Sequence, residues 1–236
     1  LNQDHAHYYF TEYLDDDEGR LELHGNGESR KHYSHDLLTD RALDFVSAAT
    51  EDKRPFFLYV AYTLPHFSSR DEDKDGLAIP ATAPYSDMDW DEHSKKYAAM
   101  IHMLDRDVGR IADQVDAGGL TNNTLIVFTS DNGGHSSVDS RFKTSGPLRV
   151  PFIARWPGTV PRNQVTDEVI AFQDMLPTFA DLAKTSVPQH VDGVSVVSVL
   201  KGGRLETPRE YLYWDVGHCR SRYDQAVRWK NWKGIC

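Results

Sequence analysis

The chain has 236 residues, 39% of them hydrophobic and 26% charged, with a formal net charge of −10. That profile belongs to a folded chain able to bury a sizeable core. The acidic balance argues against a nucleic-acid partner, which would want a basic face, and no apolar run is long enough for a membrane span.

Two cysteines, Cys219 and Cys236, make no disulfide framework. The chain starts at Leu1 without a signal peptide. Its first residues, "LNQDHAHYYF", do not read as a loose terminus, so the true start is expected upstream.

In chain order, the first helix is expected from Ser34, a plausible N-cap, with Leu37, Leu38, Ala42, Phe45, Val46 and Ala49 on one face. Residues 56–62, an apolar and aromatic run after a proline, read as a buried strand. Residues 67–92 are acidic, with prolines at 80 and 84, and read as a long surface loop.

The clearest helix spans about 90–116. Tyr97, Met100, Ile101, Leu104, Val108, Ile111 and Val115 form its stripe, and Gly118 and Gly119 end it. A strand follows over 124–129, and another in "VPFIARWPG". "AFQDMLPTFADLAK" is helical in its second half, "DGVSVVSVLKG" is a turn and then a short helix or strand, and "EYLYWD" and "QAVRWKNWK" read as two strands, a hairpin or neighbours in a small sheet. Strands alternating with helices imply an α/β fold with a mainly parallel sheet. Sites in such sheets lie at the carboxyl ends of strands.

Two candidates fall there. Asp131 and Asn132, in "IVFTSDNGGHSS", offer hard oxygen donors beside glycines, a set that suits Ca²⁺ or Mg²⁺ better than zinc. The tripeptide alone reads first as a turn. His66 ends "YTLPH", where Pro65 could aim the imidazole into a cleft; alone it reads first as an exposed loop histidine. His5 and His7 could be a metal pair but show no third ligand nearby, so they read as a polar rim or packed loop. Cys219 in "CRSR" has no evident base or electropositive helix start beside it and makes a poor nucleophile.

Taken in order, "NQDHAHYYF", "YSHDLLTDRALDFV", "PFFLYVAYTLPH", "PYSDMDWDEHSKKYAAMIHMLDRDVGRI", "NNTLIVFTSDNGGH", "VPFIARWPG", "DMLPTFADLA", "DGVSVV" and "YLYWD" with "QAVRWKNWK" resemble the sulfatase family of the alkaline-phosphatase-like superfamily. The resemblance spans nearly the whole chain. It implies a mixed, mainly parallel sheet between helices over 1–204 and the start of a small C-terminal sheet over 205–236. It implies that Asp131 and Asn132 are calcium ligands and that His66 contacts the substrate's sulfate group. The implied reaction is hydrolysis of an aryl sulfate or a sulfated carbohydrate by a formylglycine nucleophile beside Ca²⁺. The implied partner is a sulfated small molecule or glycan, and the implied location is outside the cytoplasm: periplasmic, extracellular or lysosomal.

The chain also departs from that pattern. It holds no Cys-x-Pro-x-Arg, no first Asp-Asp calcium pair and no Gly-Lys-Trp-His segment, all expected upstream of Leu1. "SGPLRVPFIARWPG" runs straight through where about a dozen further family residues, one a sulfate-binding lysine, would stand between 149 and 150. Lys143 precedes "SGPLR" and does not match that lysine. The expectation is an incomplete sulfatase, inactive alone. Its rivals are a non-catalytic interaction module and a phosphatase or phosphodiesterase of the same superfamily.

Overall fold

A computed structural model describes residues 7–17, 19–68, 75–132, 150–219 and 222–235. The chain divides into two compact units, 1–121 and 122–236.

In the first unit, β1 (Tyr13–Asp16) and β2 (Gly19–Glu22) pair antiparallel, a hairpin that the sequence patterns did not signal. A single turn, α1 (Asn26–Ser29), follows. The buried Asn26 side chain ties it down, donating to the carbonyls of Thr11 (2.9 Å) and His32 (2.8 Å).

The two long helices come next: α2 (Ser34–Asp52) and α3 (Glu92–Ala117). The α2 N-cap is Tyr33; Ser34 is already inside the helix and buried. Asp91 caps α3, its carboxylate accepting from the backbone N–H and the hydroxyl of Ser94.

The buried faces are not the purely apolar stripes that spacing suggests. On α2, His35, Thr39, Ala42, Val46 and Ala49 are buried while Phe45 is 41% exposed. On α3, Met100, Met103, Asp107 and Val115 are buried while Ile101 is 42% exposed. Each stripe is rotated toward polar residues that find partners inside.

The apolar core of this unit gathers Tyr9, Phe10, Tyr33, Leu64, Ala99 and Met100 with Leu77, Ala78 and Ile79. Those last three lie inside the stretch read as surface loop. They are buried because a short apolar run can enter a core even where acidic residues flank it on the surface.

Residues 56–62 correct the sequence reading most directly: no strand ladder among the described residues includes them. Burial alternates over 56–60, with Phe57 67% and Tyr59 79% exposed, so the period-2 pattern of an extended chain is present there.

In the second unit, β3 (Ile126–Thr129) and β4 (Phe152–Arg155) pair antiparallel. A 3₁₀ turn over Phe172–Asp174 leads into α4 (Met175–Leu182), and α5 (Val197–Leu200) follows. The strands β5 (Leu212–Cys219), β6 (Arg222–Trp229) and β7 (Trp232–Ile235) form an antiparallel meander.

The α/β character expected from the sequence is present, but every ladder among the described residues is antiparallel, in three small sheets. The inference of a parallel sheet rested on strands alternating with helices. That alternation loses its first member where 56–62 enters no ladder among the described residues.

One buried carboxylate organises the second unit. Asp174 is fully buried and accepts from the backbone N–H of Ala171 (2.7 Å) and Val194 (3.0 Å) and from the Arg209 guanidinium (2.6 Å). It thereby fastens the start of α4 to the segment before α5 and to the approach to β5. Close packing there leaves no room for a side chain at Gly193: a Cβ would lie 1.8 Å from the carbonyl oxygen of Gln173.

Candidate functional site

His66 lies in the first unit, in the turn after residues 56–62. Its backbone N–H donates to the Thr63 carbonyl (2.8 Å), and its own carbonyl accepts from the Tyr9 hydroxyl (2.5 Å). Tyr9 is fully buried and stacks on Tyr33 at 5.4 Å between ring centres, so the turn is fastened to the core. The ring is exposed. Its Nδ1 lies 2.6 Å from the carbonyl oxygen of Phe67, which can only accept, so Nδ1 carries the proton and donates. Nε2 is left as the ring nitrogen not engaged by Phe67.

The His7 ring lies against His66, 4.7 Å between centres with the planes inclined by 31°. Sequence reasoning did not join them. The signal available was the nearby pair of aromatics in "HAHYYF", one of which, Tyr9, anchors both turns. His5 lies outside the described residues.

Asp131 and Asn132 lie in the second unit, two and three residues past the last residue of β3, both exposed. Asp131 Oδ1 accepts from the backbone N–H of Asn132 (2.8 Å), and the Ser130 hydroxyl donates to the Asn132 carbonyl (2.7 Å). The first bond is the local turn that Asp-Asn-Gly favours. It engages one carboxylate oxygen and leaves Oδ2 and the Asn132 amide oxygen with no partner among the described residues. A turn and a pair of outward oxygen donors are compatible here.

The donor chemistry suits a hard cation, but two side chains supply only part of the six to eight oxygens that Ca²⁺ takes. Among the described residues no group of three or more His, Cys, Asp or Glu side chains is gathered. Lys143 and the glycines after Asn132 lie outside the described residues. Cys219 pairs with Arg222 across the β5–β6 hairpin, where the backbone serves the ladder.

Sequence reasoning missed a second polar constellation, between α2 and α3. The His35 and Asp107 side chains are both fully buried, with Nε2 3.0 Å from Oδ2. Arg106 donates twice to the same carboxylate (2.8 and 2.6 Å) and Arg110 once (3.1 Å). Burial would raise the Asp107 carboxyl, but the two arginines outweigh it and hold it below its ordinary value. Burial lowers His35 against the pull of Asp107. The neutral imidazole therefore donates from Nε2, and its buried Nδ1 has no partner among the described residues. Tyr62 closes the cluster: its hydroxyl lies 2.8 Å from Thr39 Oγ1, its ring 4.4 Å from that of His35, and burial raises its pKa. With no exposed surface at its centre, this cluster joins helices and meets no ligand.

The sulfatase family model matches residues 2–185. The chain belongs to the sulfatase family. Human steryl-sulfatase is 31% identical over 221 residues, covering 83% of this chain and 34% of the relative. The uncharacterized sulfatase YdeN of Escherichia coli K12 is 31% identical over 199 residues, covering 78% and 34%. Among solved structures, Ps i-CgsB superposes with a TM-score of 0.71 at 32% identity, covering 86% of this chain and 46% of that one. A second solved relative, in complex with its substrate D-glucosamine-2-N,6-O-disulfate, gives a TM-score of 0.53 at 27% identity, covering 60% and 31%. The chain therefore spans about a third of the length of these two curated sulfatases. Sulfatases are its structural neighbours, and its fold is mixed α/β with small sheets, consistent with the alkaline-phosphatase-like superfamily.

Proposed function

We propose that the protein to which this chain belongs hydrolyses sulfate monoesters, and that the ester is carried on a carbohydrate. The observation that carries the reading is the family match across 2–185. It includes an exposed His66 ring whose tautomer and backbone are both fixed. The carbohydrate is supported by solved relatives holding saccharides: Ps i-CgsB in complex with k-i-k-neocarrahexaose, and the glucosamine disulfate complex. An aryl sulfate is the competing substrate, supported by relatives named arylsulfatase.

In the balanced reaction, water adds to sulfur, the sulfur–oxygen bond to the sugar breaks, and the sugar hydroxyl leaves with one proton. His66 contributes through Nε2. Its Nδ1–H is engaged by Phe67, which leaves Nε2 as the ring nitrogen offered to the sulfate group. Neutralising charge on the transferred group is where most of the catalytic effect of such a site arises.

Asp131 and Asn132 would supply oxygen ligands to calcium, which when bound neutralises sulfate charge. Two ligands predict weak binding, on the order of millimolar. The nucleophile is proposed as formylglycine on the family resemblance, and no residue of this chain is assigned to it. Export of the whole protein is proposed on the same ground.

The test is calorimetry with a sulfated oligosaccharide and its desulfated counterpart. His66→Ala should weaken the sulfated ligand at least tenfold and leave the desulfated one unchanged. Equal affinities for both ligands in the unaltered protein would refute the reading. Calcium titration of Asp131→Ala should show further weakening; an unchanged isotherm assigns Asp131 to the turn alone.

A further inference from the structure

Trp90 stands just before α3, on a backbone fastened at both sides. Ahead of it, the N–H of Tyr85 donates to the Thr82 carbonyl (2.8 Å) and that of Met88 to the Tyr85 carbonyl (3.1 Å). Behind it, Asp91 caps the helix through the N–H and hydroxyl of Ser94. The indole stacks on Tyr85, 5.7 Å between ring centres with the planes inclined by 20°. Tyr85 in turn packs on the apolar core and meets the His102 ring edge-on at 6.1 Å. One face of the indole is therefore held, yet the residue is 44% exposed. An aromatic ring held in place and left half in water is poised to bind.

Asp89, Trp90, Asp91 and Ser94 line an open cleft. Its charges say what can enter. Both carboxylate oxygens of Asp91 are taken up by the cap. Asp89 is exposed and has no partner among the described residues, so its carboxylate is free to accept hydrogen bonds from a ligand. Two carboxylates in the lining repel an anion. Among the described residues no three His, Cys, Asp or Glu side chains gather to hold a metal. The fitting ligand is uncharged, with an apolar face for the indole and hydroxyl donors for Asp89. A pyranose has both, a face of C–H groups and a rim of hydroxyls, and the cleft offers the matching mixture of aromatic surface and few polar groups.

The cleft also neighbours the turn that carries His66. Phe67, whose carbonyl accepts from His66 Nδ1, places its ring 6.0 Å from that of His93 in the first turn of α3. His66 and Trp90 each lie within three residues of that contact.

We propose that Trp90 and Asp89 form a subsite for an uncharged sugar residue of the sulfated oligosaccharide, the indole stacking on the ring and the carboxylate accepting from its hydroxyls. This rests on the reading of the substrate as a sulfated carbohydrate and adds to it a place for the neutral residue beside the sulfated one.

The experiment is calorimetry of the chain at pH 7 with three probes: a monosulfated galactose, the disaccharide joining that residue to an unsulfated anhydrogalactose, and the same disaccharide desulfated. The sulfated disaccharide should bind at least fivefold tighter than the sulfated monosaccharide. Trp90→Ala should erase that advantage, Asp89→Ala should cut it at least threefold, and neither should change the affinity of the monosaccharide. Backbone amide spectra report whether the turns survive; where Trp90→Ala disturbs them, Asp89→Ala, at an exposed position, is read instead. The Trp90 indole N–H resonance, assigned by its absence in Trp90→Phe, should move with either disaccharide and stay still with the monosaccharide. Equal affinities for the sulfated monosaccharide and disaccharide, or an advantage that survives both alanine variants, overturn the subsite and leave the sulfate reading standing. If the sulfated and desulfated disaccharides bind alike while the Trp90 resonance moves, the sulfate reading falls and the neutral sugar site stands. A Trp90 resonance that moves with no disaccharide overturns the subsite in either case.

Discussion

Asp107→Asn removes one charge from the α2–α3 interface and almost no volume, so its effect isolates the electrostatics of the buried cluster. Arg106 and Arg110 are 46% and 41% exposed, and their pairs with Asp107 are screened to about 0–1 kcal/mol each. The His35–Asp107 pair is fully buried, where a hydrogen bond to a charged group contributes about 1.5–3 kcal/mol.

Asparagine cannot replace that bond cleanly. If its amide oxygen takes the Oδ1 place, its NH₂ group meets the Nε2–H of His35 and an N–H of Arg106; if it takes the Oδ2 place, its NH₂ group meets Arg106 and Arg110 instead, donor against donor in both. Moving the imidazole proton to Nδ1 relieves the clash with His35 but creates a buried N–H with no partner among the described residues. Either arrangement leaves a donor unsatisfied, costing about 1–3 kcal/mol. The expected loss is about 3 kcal/mol, a large share of the roughly 5–15 kcal/mol that holds a domain together.

Amide hydrogen exchange at pH 7 reads the first unit by itself. The slowest amides of α2 and α3 should exchange roughly 100-fold faster in the variant, by the conversion of about 1.4 kcal/mol per decade. A change below threefold would show that the carboxylate's charge is not what binds the two helices, and the reasoning would fail.

The same cluster predicts a pH dependence. His35 has its folded pKa lowered below the ordinary 6.5, so the unfolded chain takes up the proton first. Its contribution to stability is present above that value and is lost as pH falls below it. Asp107, also lowered, adds stability above its ordinary 3.8 and loses it only at more acid pH. Between pH 7.5 and 5 protection in α2 and α3 should therefore fall, and His35→Phe should flatten the slope; equal slopes in both proteins would remove His35 as the cause. In the second unit, Asp174→Ala leaves the Arg209 cation, only 14% exposed, without its counter-charge and two backbone N–H groups without an acceptor. Breaking such a pair costs about 3–5 kcal/mol, seen as lost exchange protection across 171–200 and refuted by protection that survives intact.

Local patterns decided much of the secondary structure. The Gly118-Gly119 stop placed the end of the second long helix, and an apolar period of 3.6 placed its body, because a helix is made by contacts within four residues. Likewise β3, β4 and β5 were legible from β-branched and aromatic runs between turn residues, whereas "QAVRWKNWK", read as one strand, holds the end of β6, a turn and the start of β7. The order of motifs also carried the family, which the match over 2–185 shows.

What sequence could not supply was partnership. Residues 56–62 read as a strand but enter no ladder among the described residues, and pairing is decided by residues distant in the chain. His35, Thr39 and Asp107 spoil an apolar stripe on paper, yet they sit at the centre of the α2–α3 contact. A buried polar group is tolerated only where a tertiary neighbour completes its hydrogen bonds. For the candidate site, the sequence supplied His66, Asp131 and Asn132 one residue at a time. It was the tertiary structure, through the Tyr9 anchor, that brought His7 against His66. Spacing along a chain fixes which side chains share one element's face; only the closing of distant turns on a common core fixes which rings touch.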